Sequence, residues 1–139
     1  MTAVEFLRQP LLIDKKIRNK LAEKERWKLV AFGISANNDS ERVQSSGSKQ
    51  RMADYVARYV DIEKEIDAEI DRLIDVKKDV VSVIERLKTN EYDVLHKRYI
   101  QGMTPDEIAF ELKKSNSWVK AKHKDALKSV QKILDEREK

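Results

Sequence analysis

The chain has no cysteine. That rules out a disulfide framework and any thiolate metal site, and fits a reducing interior. Only two prolines and three glycines punctuate 139 residues, so tight turns are few and long helices are expected. Aromatics make up 6% of the residues and charged side chains 39%. Such a composition cannot fill a thick globular core, and it suits solvated helices with a narrow apolar seam. No apolar run is long enough to span a bilayer. The start, "MTAVEFLRQPLLIDKK", lacks a basic segment followed by an apolar stretch and does not read as a signal peptide. Asn38-Asp39-Ser40 spells a glycosylation sequon that carries no weight without a secretory signal. There is no glycine-rich phosphate loop and no Ser/His/Asp grouping. His96 and His123 stand apart without cysteine partners. No enzyme activity, metal or cofactor is therefore expected.

What the chain does have is charge, unevenly spread. Residues 51–87 hold 7 basic and 10 acidic side chains, a net of −3. Residues 113–132 hold seven lysines against Asp125 alone, a net of +6. The second segment is a concentrated basic patch of the kind that attracts polyanions.

The periodicity divides the chain. Ile13, Ile17, Leu21, Trp27, Ala31 and Ile34 recur at roughly helical spacing, with Pro10 expected in the first turn of that helix. "NNDSERVQSSGSKQ", residues 37–50, loses all period and reads as a loop or linker. A long helix is then expected from Arg51. Tyr59, Ile66, Leu73, Val80 and Leu87 occupy one heptad position; Ile62, Glu69, Val76 and Val83 occupy the other. Eight of these nine are apolar, a coiled-coil pattern that must be buried against something. The first helix folding back and a second copy of the chain are both expected partners, giving an antiparallel hairpin that self-associates as a homodimer or higher homo-oligomer. After "LKTNEYD" the period restarts. Asn90 is expected to cap a helix carrying Tyr92, Leu95, Tyr99 and Ile100 inward, and Gly102 to end it. The expected architecture is all-α: residues 1–88 form the hairpin and self-association region, and residues 89–139 a compact helical head.

The head carries the motif of interest. Thr104-Pro105-Asp106-Glu107 is a capping box with Pro at the first helical position. Ile108 and Leu112 mark the buried edge of a short helix, with the small Ala109 between them. Ser115 can cap a second helix whose apolar stripe is Val119, Ala126, Val130 and Ile133. Ser117, Lys120, Lys124 and Lys128 follow i, i+3, i+7, i+11 and form an outer stripe more than a right angle away. A short helix, a tight turn and a longer helix with a cationic outer face make a helix-turn-helix. Asn116, Ser117, Lys120, Ala121 and Lys124 are expected to face bases. Thr104, Lys113, Lys114, Lys122, His123 and Lys128 are expected to face phosphates.

"EYDVLHKRYIQGMTPDEIAFELKKSNSWVKAKHKDALKSVQKIL" resembles region 4 of the sigma-70 factors, the module that reads the −35 promoter element. Leu95, Arg98, Tyr99, Gly102, Thr104, Glu107, Ile108, Ala109, Leu112, Ser115, Val119, Ala126 and Leu127 carry the likeness. With "ERVQSSGS" ahead of the long helix, the whole chain is similar to the phage-encoded regulators of the ArpU and RinA type. That resemblance implies a late-gene transcription activator acting on double-stranded promoter DNA with host RNA polymerase, in the cytoplasm of a bacterial cell, at the nucleoid and away from membranes. Three positions depart from the region 4 pattern. Lys113 stands where a turn glycine is usual, Lys114 where an apolar residue is usual, and Lys122 where a buried aliphatic is usual. A non-glycine residue in the left-handed turn costs on the order of 1 kcal/mol, and Trp118 is placed to cover the missing apolar contacts. Two other readings stay open: a phage terminase small subunit, which also joins such a head to an oligomerising helical part, and a coiled-coil assembly protein with no nucleic-acid role.

Overall fold

The computed structural model describes residues 1–32 and 46–139. All regular structure among them is helical. Helix α1 runs Ala3–Phe32 and α2 runs Ser46–Ile84. Helix α3, Thr89–Leu95, continues into a π-turn, His96–Ile100. Helices α4, Pro105–Leu112, and α5, Asn116–Arg137, follow.

The chain forms two compact units, Met1–Asp14 with Leu73–Lys139, and Lys15–Arg72. The first holds a core in which Phe6 and Leu7 of α1, Val80, Val83 and Ile84 of α2, Leu95 of α3 and Tyr99 of the π-turn meet Ala126, Val130 and Leu134 of α5. The head boundary expected at 88/89 falls inside this unit, because the last turns of α2 and the first turns of α1 share the core with α5. Thr2 opens α1 with a capping box of its own. Its hydroxyl accepts from Glu5 N–H at 3.2 Å and its N–H donates to the Glu5 carboxylate at 3.1 Å. The Thr2-x-x-Glu5 spelling carried that signal. Ala3 N–H donates to the Gln131 side chain at 2.7 Å, tying the start of α1 to α5.

The second unit is an antiparallel pair of helix segments. The ion pairs Lys16–Glu69, Lys20–Glu65 and Lys24–Glu63 descend one helix as they climb the other. Trp27 and Tyr55 rings meet at 5.6 Å. Ile17, Ala31, Ile62 and Ile66 are the buried seam.

Four expectations are corrected. Pro10 lies well inside α1, not in its first turn, and is fully buried. Its burial beside Phe6 and Leu7 outweighs the missing interior hydrogen bond. Helix α2 begins at Ser46, not Arg51; the rest of the expected 37–50 loop lies outside the described residues, as does Ile34. Leu87 falls beyond the end of α2 but still packs on the core. Asn90 does not cap α3: the helix starts at Thr89 with Lys88 at the cap position, and Tyr92 N–H donates to Lys88 O at 2.8 Å.

Candidate nucleic-acid interface

Two local signals set the geometry of α4 and α5. The Thr104 hydroxyl accepts from Glu107 N–H at 3.2 Å while Glu107 reaches back to Thr104 N–H at 3.4 Å. The Ser115 hydroxyl accepts from Trp118 N–H at 3.1 Å. Both helices are thus started by their own sequence. Between them Lys113 takes φ 57°, ψ 44°, and is the single non-glycine residue with positive φ among the described residues. Its N–H and that of Lys114 return to the end of α4, on Phe110 O at 3.3 Å and Ala109 O at 3.0 Å. The turn glycine is absent, yet the turn geometry is retained at the cost of a strained lysine.

Ile108, Ala109 and Val119 bury with Val94, and Met103, Leu112 and Trp118 pack around them. This small core holds α5 across α4. Trp118 is half-buried, with the Lys114 ammonium 5.3 Å and the Lys122 ammonium 5.9 Å from its ring. The two lysines at apolar positions are therefore accommodated against the face of one indole.

Asn116, Ser117, Lys120, Ala121 and Lys124, expected to face bases, are all exposed on α5. Val119, Ala126, Val130 and Ile133 are buried on the other side. Among the residues expected to face phosphates, Thr104, Lys113, Lys114 and Lys128 are exposed, and Lys122 is half-buried against Trp118. Thr104 is occupied as a cap. His123 differs. It is half-buried, its Nε2 lies 2.7 Å from the Tyr99 hydroxyl, and the two rings stack at 5.7 Å. Burial, then the charge of Arg98, pushes its pKa below the usual imidazole range. Burial pushes the Tyr99 phenol up. The hydrogen bond between the His123 ring and the Tyr99 hydroxyl ties α5 to the π-turn, so His123 braces the head and does not stand as a free outward cation. The π-turn was not visible in the sequence pattern.

Two further residues enter the site. Asp106 accepts from Asn116 Nδ2 at 2.8 Å. A carboxylate only accepts, so the Asn116 amide must turn its nitrogen inward to Asp106, leaving its carbonyl oxygen and one N–H unclaimed by that bond. The signal in the sequence was an acid in the first turn of α4, ten residues before Asn116. Arg98 donates to Met103 O at 3.2 Å. With Lys120 and His123 it lines a cleft of about 160 Å³ over Val94, Ile108 and Val119.

No group of three or more metal-ligating side chains occurs among the described residues, and no described helix is long and apolar enough to cross a membrane.

Residues 83–132 match the family model of sigma-70, region 4. The matched segment runs from the end of α2 through the helix-turn-helix and most of α5, just over a third of the chain. No curated protein and no solved structure matches the chain.

Proposed function

We propose that this protein is a sequence-specific, double-stranded-DNA-binding transcription regulator that lays α5 in the major groove. One observation carries the reading. The polar face of α5, with Asn116, Ser117, Lys120, Ala121 and Lys124, is exposed along its length while the opposite face is locked into the core. An α-helix fits the major groove, Asn and Lys side chains bond base edges there, and a small alanine permits close approach. Lys113, Lys114 and Lys128 supply phosphate contacts at the margins. Asp106 holds the Asn116 amide ready before DNA arrives, which reduces the ordering cost of that contact.

The finer reading is a phage or prophage late-gene activator that works beside host RNA polymerase in a bacterial cytoplasm, as a homodimer or higher oligomer. The region 4 match supports the promoter-DNA part of this reading, the resemblance of the sequence to ArpU- and RinA-type regulators supports the phage activator part, and the apolar heptads of α2 support the oligomer.

The test is selection of bound duplexes from a random pool, followed by binding to the winner across a salt series. Recovery of one recurrent motif is expected, with affinity falling steeply as salt rises because several phosphates are neutralised. A pool that returns no motif, or binding indifferent to salt, overturns the proposal.

A further inference from the structure

Asn116 is engaged by α4 before any ligand reaches it. Its Nδ2 donates to Asp106 Oδ1 at 2.8 Å, across a separation of ten residues in the chain. Both side chains stand at helix starts. Asp106 is in the first turn of α4, between the two members of the Thr104–Glu107 capping box. Asn116 is the first residue of α5, next to the Ser115 cap. The turn that joins the helices is closed by Lys113 N–H on Phe110 O and Lys114 N–H on Ala109 O. Hydrogen-bonded backbone therefore presents the two groups to each other, at the end of α5 that a helix-turn-helix turns toward bases.

A primary amide has two ends of opposite hydrogen-bonding sense, a nitrogen that donates and an oxygen that accepts. Asp106 chooses between them. A carboxylate has no proton to offer the amide oxygen, so it holds the nitrogen and leaves Oδ1 with one N–H for the groove. Both residues are exposed, and in the free protein water competes for this bond. Docking on a duplex expels that water, and a charged oxygen then left without a donor is costly. The bond is held most firmly when a base is being read.

We propose that Asp106 acts as a positioning residue that makes Asn116 select adenine and reject guanine; this inference rests on the DNA-reading proposal. Only adenine and cytosine carry an amino donor on the major-groove edge to meet an outward Oδ1. Adenine also offers N7 to the remaining N–H, and cytosine has no acceptor beside its amino group. Guanine presents two acceptors, N7 and O6. The nitrogen that suits them is committed to Asp106, and Oδ1 would face an acceptor. Lys120, about one turn further along α5, has donors only and is matched to guanine instead. The two residues thus ask for opposite chemistry at separate base pairs, and each serves as a control for the other.

The test is duplex selection from a random pool with the full chain, followed by binding to the winner and to single-pair variants of it. Asn116→Ala is expected to erase preference at one base pair, and that pair is expected to carry adenine on one strand. Replacing it with G·C is expected to weaken binding of the unaltered chain about tenfold. Asp106→Ala frees the amide to turn its nitrogen outward, and is expected to reduce that discrimination to threefold or less. The preference lost in Lys120→Ala is expected to stay intact in Asp106→Ala. With Asn116→Ala already present, Asp106→Ala is expected to change base preference no further. Asp106→Asn, which can accept or donate, is expected to relax the same pair, and it serves as the second variant if Asp106→Ala loses helical circular dichroism. A guanine or thymine preference at the Asn116-dependent pair overturns the inference and spares the DNA reading. So does an Asp106→Ala chain that binds every duplex more weakly by one common factor, the mark of a merely structural role. A pool that returns no motif removes the DNA reading and the inference with it.

Discussion

The head and the arm are built from the same helix-forming residues, but they bury them differently. In the head unit, five elements converge, and Leu7, Val80, Ile84, Leu95, Ala126 and Val130 are sealed from solvent. In the arm, two helices share one seam, and polar groups intrude into it. Glu69 occupies a seam position; Lys16 reaches one of its oxygens, and the other is buried without a hydrogen-bond partner. A wide core fixes one geometry for each side chain, as a reading head requires. A single seam leaves apolar flanks unpaired.

That contrast is broken most directly by emptying each core. Leu95→Ala in the head is expected to cost about 2–5 kcal/mol, and Ile62→Ala in the arm to fall at the low end of that range, because the thin seam can collapse. Denaturant unfolding of both variants checks this; equal losses would erase the distinction. Within the head, Lys120→Ala is expected to cost roughly 1–3 kcal/mol of duplex affinity and relax the preference at one base pair, whereas Lys128→Ala should weaken all duplexes alike and flatten the salt slope. Binding to matched and mismatched duplexes separates the two roles. Glu69→Leu removes an unsatisfied buried oxygen and leaves Lys16 half-exposed to water. It is expected to stabilise the arm by about 1 kcal/mol, measured by thermal unfolding. Lys113→Gly relieves the left-handed lysine but loosens the unfolded chain, so a gain of under about 1 kcal/mol is expected.

The smallest effect is set by pH. His123 has a folded pKa below its ordinary value, so the unfolded chain binds the proton first as pH falls. Stability is then full above about pH 6.5, the ordinary imidazole value, and declines below it until the folded group protonates as well. Melting curves from pH 7.5 to 5 are expected to show this slope, and His123→Leu to remove it. A slope that survives the substitution assigns the titration elsewhere.

Much of this was legible in the residues. The capping box at Thr104, the cap at Ser115 and the end of a helix at Gly102 are local signals, and each stands where the spelling put it. So does the outward lysine face of α5, which follows from helical geometry alone. Two of the corrections share a cause. Pro10 and His123 were assigned from what their residue types usually do, and in both cases burial decided otherwise. The Asn116–Asp106 bond and the cleft beneath Arg98 depend on the crossing of α4 over α5, which no local pattern contains.

The sequence by itself determined that the chain is helical, where α4 and α5 start, and the face on which α5 carries its lysines, because capping and periodicity act within a few residues. Only the tertiary structure decided that the first turns of α1 complete the core of the head and that His123 reaches the Tyr99 hydroxyl. These outcomes depend on contacts between residues far apart in the chain, where packing overrides the preference of any single side chain.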